Sequence, residues 1–171
     1  MTGKGDFMTV EELIKVLDMQ EEILQFSHFT NGDAWELGNL IAVEAGRRAL
    51  PVAVSIRLNN GYTVFQYGSD GTGLYNSDML ARKHETVKYT EQSSMHLYLQ
   101  LRLSEKTQEE MQLPPDKYAA IGGGFPIRVE EVGVIGSVTV SGIGHVADHD
   151  LIVNCISRYL HVDEVPRIRA L

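Results

Sequence analysis

The chain has 171 residues, a mass of 19.0 kDa, 43% apolar and 22% charged residues, and a net charge of −8 from 15 Lys+Arg against 23 Asp+Glu. This is enough chain to bury one core without staples, so one domain is expected, with its core over residues 9–160. The acidic balance argues against nucleic acid and against an anionic membrane surface as partners, since both need a basic footprint.

The lone cysteine, Cys155, excludes an intrachain disulfide. The opening "MTGKGDFMTVEEL" has no apolar core of a secretory signal, and no apolar run reaches the ~18–20 residues of a membrane span. A reducing, cytoplasmic setting is the expectation.

Thr9 with Glu12 forms a capping-box pattern, and Leu13, Ile14, Leu17 and Leu24 make an apolar stripe. A helix is expected from about Val10 to Leu24. "NGDAWELGNLIAVEAGRRALP" repeats the device with Asp33 as cap, a buried face of Leu37, Leu40, Ile41 and Ala45, and Pro51 as stop. Val52–Leu58 and Tyr62–Tyr67 are β-rich runs around Asn59-Asn60-Gly61, which tolerate the positive φ of a tight hairpin turn.

A stretch without Gly or Pro then predicts one helix from Asn76 to about Leu103, capped by Ser77 or Asp78, followed by a polar connection ending in Pro114-Pro115. Two more strands follow, Ala119–Val129 and Val134–Ser141. The last helix is expected to start near Asp148, with Leu151, Ile152, Cys155, Ile156, Tyr159 and Leu160 as its stripe and residues 161–171 as an extended tail. The order α-α-β-β-α-β-β-α implies an α+β domain, a central antiparallel sheet of two hairpins flanked by helices. It is not the alternating series of a doubly wound nucleotide fold.

Three clusters could carry chemistry. Gly122-Gly123-Gly124 before Phe125 is either a backbone bend or a nest of N–H groups for a carboxylate or phosphate. His145, Asp148 and His149 could converge on a divalent ion, or Asp148 simply caps its helix and His149 is a hydrogen-bonded neutral residue. Arg82, Lys83 and His84 form a short basic run on a helix whose stripe (Leu80, His84, Val87, Glu91, Ser94, Tyr98, Leu101) is polar at its centre. That pattern suits either a solvated face or a ligand cavity in which Arg82 or Lys83 holds an anionic group. Trp35 reads as a staple to the sheet or to a neighbour, and Cys155 as a small buried hydrophobe.

"FTNGDAWELG", "ARKHETV", "YAAIGGGFPIRV" and "VGVIGSVTVSGIGHVADHDLIV" together resemble the haem-degrading-like superfamily of GlcG, HbpS and the PduO C-terminal domain. The likeness runs from Phe26 to Leu160 and is strongest to a cytoplasmic branch with a fungal member. It implies a profilin-like α-β-α fold and a symmetric homo-oligomer. Some members bind haem or corrinoid-related ligands, so haem or another small ligand is an implied occupant. Haem would require an accessible His, Met, Cys or Tyr in an apolar pocket. The combined reading is an oligomeric binding protein for a haem-like or organic-anion ligand, held by Arg82, Lys83, His84, Gly122, Gly123, Gly124, Phe125 and His149. The alternatives are a metal-dependent protein using His145, Asp148 and His149, or a structural adaptor.

Overall fold

The structure, a computed structural model, describes residues 7–168. Its elements are α1 (Val10–Ile23), α2 (Asn31–Arg47), β1 (Ala53–Leu58), β2 (Thr63–Gly68), α3 (Leu74–Thr90), α4 (Ser94–Ser104), β3 (Gly124–Val129), β4 (Gly133–Ser141) and α5 (His145–Tyr159). The four strands form one antiparallel sheet in the order β2-β1-β4-β3, built from the two expected hairpins. The expected α+β architecture is therefore present.

Strand alternation divides the sheet into two unlike faces. Val54, Ile56, Phe125, Ile127, Val138 and Val140 turn one way and join α2 and α5 in the main core, with Leu37, Ile41, Ile152 and Ile156. Ser55, Ser137, Thr139 and Ser141 turn the other way, which the usual pattern would assign to solvent. All four are buried, and α3 packs over them. α1 and α4 pair beside this stack through Leu13, Leu17, Met95 and Leu99. The linker after α1 lies along the outer edge of β3. There Phe26 donates its amide to Arg128 and accepts that of Glu130.

Several boundaries differ from the sequence reading, each for a local reason. α2 is capped by Thr30, while Asp33 sits at the third helical position and bonds back to the Thr30 amide at 2.7 Å. The long helix expected over 76–103 is two helices. Glu91 adopts φ 56°, ending α3, and Ser93 restarts the chain by accepting the His96 amide at 3.1 Å. Glu21 of α1 fixes this break: its carboxylate takes the Ser93 amide at 2.9 Å and lies 2.8 Å from His96 Nδ1. A serine able to cap and a carboxylate from another helix outweigh the intrinsic tendency to continue.

α3 starts earlier than Asn76, at Leu74, with the Asn76 side chain accepting the Gly73 amide. β3 begins at Gly124 rather than Ala119, and α5 begins at His145 rather than Asp148. Residues 162–168 carry no helix or strand, and residues 169–171 of the expected tail lie outside the described residues. Trp35 is exposed and does not staple α2 to the sheet. That contact is made by Gly38, where any Cβ would overlap the Phe65 ring.

Candidate functional site

Lys83 is 1% exposed, although it lies in a run that reads as basic surface. It projects from α3 onto the polar sheet face, donating to the Val140 carbonyl at 2.8 Å and meeting Asp148 Oδ2 at 3.2 Å. The other Asp148 oxygen accepts the Ile143 amide at 3.1 Å. Burial pulls the Lys83 pKa down, opposed by the Asp148 charge. Burial likewise pushes Asp148 up, opposed by Lys83 and by the amides it accepts.

The glycine bend lies directly over this pair. A Cβ on Gly123, whose φ is +117°, would come within 2.5 Å of both Lys83 Nζ and the Val140 carbonyl. A Cβ on Gly122 would overlap the His145 carbonyl oxygen. Two glycines thus let the chain pass between α3 and the start of α5, which only a residue without a side chain can do here. The Gly122 amide donates to His145 Nδ1 at 3.1 Å, leaving the proton of the neutral ring on Nε2. Tyr98 meets the same imidazole edge-on at 4.7 Å.

The first turn of α5 separates two hollows. One, of about 210 Å³, is bordered by Lys83, Asp148, His145, Asn76, Ser141 and the exposed ring of Tyr75. The other, of about 810 Å³, lies between α5 and residues 165–168, with Ile143, Val146, Val165 and Ile168 as its apolar walls. α5 has no side-chain cap: its N-cap is Gly144, and Asp148 is turned toward Lys83 and Ile143. The amides of the first helical turn have no partner within the helix.

His149 lines the larger hollow, 1% exposed. Gln20 of α1 determines its tautomer. The Gln20 amide nitrogen donates to the Pro166 carbonyl at 2.8 Å, so its oxygen, 2.8 Å from His149 Nε2, must accept. His149 therefore carries its proton on Nε2 and a bare lone pair on Nδ1, a buried atom with no partner among the described residues. Burial, with a smaller push from His145, lowers its pKa to about 3. Gln20 was not singled out from the sequence, yet it continues the Leu13, Leu17, Leu24 stripe, where a buried amide stands out.

The remaining sequence candidates fall elsewhere. Arg82 reaches the Tyr118 carbonyl at 3.4 Å and Asp78 at 3.6 Å, away from the glycine bend. His84 lies under α3, its Nδ1 2.7 Å from Ser137 Oγ, and burial with Arg57 and Lys88 lowers its pKa to about 4. Glu91, expected on that stripe, is the end of α3. Phe125 belongs to the main core, its ring 5.9 Å from that of His149. Ser94, not the glycines' own nest, holds Gly124, accepting its amide at 2.9 Å. His145, Asp148 and His149 are adjacent in sequence but face Gly122, Lys83 and Gln20 respectively. Among the described residues no group of three or more His, Cys, Asp or Glu is arranged to hold a metal ion. Cys155 is buried, and its thiol is pushed up to about 12.

A family model described as haem degrading protein HbpS-like matches residues 29–157. The UPF0303 protein of Streptomyces avermitilis is 42% identical over 148 residues, covering 86% of this chain and 90% of its own. UPF0303 protein YE1367 of Yersinia enterocolitica is 35% identical over 154 residues, covering 90% and 91%. Among solved structures, Ybr137w aligns with a TM-score of 0.80 at 27% identity, covering 86% of this chain and 87% of that one. The crystal structure of a PduOC–haem complex aligns with a TM-score of 0.64 at 20% identity, covering 75% and 93%, and shares the fold. So does a double mutant of HbpS from Streptomyces reticuli, at 0.64 and 18%, covering 94% and 95%.

The buried pair has a measurable consequence. Asp148→Asn leaves the Lys83 ammonium unpaired and is expected to cost about 3–5 kcal/mol in denaturant unfolding. Lys83→Met together with Asp148→Asn should cost less than the sum of the single changes, a coupling that a double-mutant cycle reads directly. A pH dependence follows from the histidines. His84 and His149 fall from 6.5 to about 4 and about 3 in the folded chain. Between 6.5 and those values the unfolded chain binds protons that the folded chain does not, so stability drops as pH is lowered through this window. Thermal melts should show that decline, and His149→Phe should make it shallower.

Proposed function

We propose that this chain, which belongs to the HbpS-like haem-degrading protein family, binds a small organic anion at the first turn of α5, in the hollow beneath residues 165–168. The observation that carries this reading is the uncapped N-terminus of α5 opening on an apolar-walled space of about 810 Å³. Such a helix end offers unsatisfied N–H groups and the positive end of the helix dipole, both suited to a carboxylate. Ile143, Val146, Val165 and Ile168 take the apolar body of the ligand.

Haem is the group that the family suggests, and the side chains at this hollow do not fit it as axial ligands. The His145 Nδ1 lone pair is taken by the Gly122 amide, and His149 Nδ1 is wholly enclosed. An organic anion needs no such lone pair. We further read the chain as a homo-oligomer in the cytoplasm. Exposed Trp35, Val43, Leu74, Tyr75 and Tyr89 support self-association, and the single buried thiol suits a reducing compartment. None of the described helices is long and apolar enough to cross a membrane.

Ala147 is exposed in the first turn of α5, so Ala147→Asp can fold while placing a carboxylate where the ligand's would sit. Calorimetric titration with phenylacetate and 4-hydroxyphenylacetate should show binding to the parent protein and about tenfold weaker binding to this variant, equivalent to about 1.4 kcal/mol. The variant's melting temperature should hold or rise, since an acid in the first turn is favourable. Equal binding by both proteins would reject the placement. Titration with haemin should give no saturating Soret band. A band that saturates at one haem per chain and disappears in His149→Phe would reject the anion reading in favour of haem.

A further inference from the structure

On the opposite flank of the α5 first turn, independent of the anion reading, we propose that Lys83 is an imine-forming amine that condenses with a small aldehyde or α-keto acid admitted to the 210 Å³ hollow. The cavity gathers a primary amine (Lys83), a carboxyl (Asp148), an imidazole (His145) and a phenol (Tyr75) around one space. These are the groups that carbonyl condensation uses: a nucleophilic nitrogen, and acids and bases to move protons. At 210 Å³ the hollow lies below the ~300–1,000 Å³ of drug-sized ligand pockets, so it admits only a short carbonyl compound.

The paired carboxylate gives the nitrogen a route to its reactive, neutral form. Lys83 Nζ has two acceptors, the Val140 carbonyl at 2.8 Å and Asp148 Oδ2 at 3.2 Å. Passing one proton from the Lys83 ammonium to the Asp148 carboxylate, 3.2 Å away, leaves an amine with a lone pair beside a carboxylic acid. Burial lowers the Lys83 pKa, which raises the neutral share at a given pH. Gly123 lets the backbone pass beside the nitrogen without a side chain, since any Cβ there would come within 2.5 Å of it.

The chemistry balances without an oxidant or reductant. The amine lone pair forms a C–N bond to the carbonyl carbon, and the C=O π pair moves to oxygen, which takes one proton from the attacking nitrogen. Asp148, raised by burial, supplies the proton with which that hydroxyl departs as water, and the nitrogen returns its remaining proton to the carboxylate. The products are a protein-bound imine and one water.

Reductive trapping tests the assignment on the full, folded chain. Incubation with glycolaldehyde and cyanoborohydride, followed by peptide mapping, should label Lys83 at least about tenfold faster than Lys15, Lys88, Lys106 and Lys117. Lys83→Met should lose that adduct. Because Asp148 is then left buried and unpaired, a second variant, Tyr75→Trp, crowds the mouth at an exposed position without touching the pair. It should slow labelling of Lys83 and leave the other lysines unchanged. Absence of label on Lys83 in the folded protein, label that appears only at the rate of unfolding, or a Tyr75→Trp rate equal to the parent's would each overturn the proposal.

Discussion

A lysine and an aspartate brought together out of water hold this molecule's layers in register. Lys83 crosses from α3 to the sheet, where its ammonium meets the Val140 carbonyl of β4 and the Asp148 carboxylate of α5. Separating either charge from its partner inside the fold would cost several kcal/mol, so the three elements are constrained to meet at one point. The glycine bend is a consequence of that meeting. Gly122 and Gly123 run through a gap in which a side chain would strike the His145 carbonyl, the lysine nitrogen or the Val140 carbonyl.

The same pair decides what the end of α5 can do. An aspartate in a first helical turn ordinarily satisfies the free amides there. Here its two oxygens serve Lys83 and Ile143, and Gly144 has no side chain to replace them. The first turn of the helix therefore has no side-chain cap where it borders the hollow beneath residues 165–168, a segment tied to α1 where Gln20 donates to the Pro166 carbonyl. On the opposite flank the lysine amine lines a smaller space. Fold stability and the proposed binding chemistry share one set of atoms.

The hairpins, α1 and the α5 stripe were legible in the sequence because each has a strong local signal: a Thr-x-x-Glu box, an Asn-Asn-Gly turn, a helical apolar repeat. The break at Glu91–Ser93 was not, because Glu21, about seventy positions away, helps to set it. The start of α5 was misplaced for a related reason: Asp148 looks like a cap, and only its tertiary pairing with Lys83 shows otherwise. Of the candidate residues, Lys83, His145, Asp148 and His149 do line the hollows, whereas Arg82, His84 and Phe125 face other partners. Ser137 and Thr139 alternate with valines as an exposed sheet face would, yet α3 covers them. A polar strand face matched by a polar helix centre is visible in the sequence only when the two segments are read together.

The most direct measurement is an NMR titration of isotopically labelled protein with 4-hydroxyphenylacetate, followed through the backbone amides. The expected result is saturable shifts concentrated at His145, Val146 and Ala147. Shifts confined to another surface, such as the hollow between His28 and His161, or no saturable shift at all, would contradict the claim that the open end of α5 is a binding site.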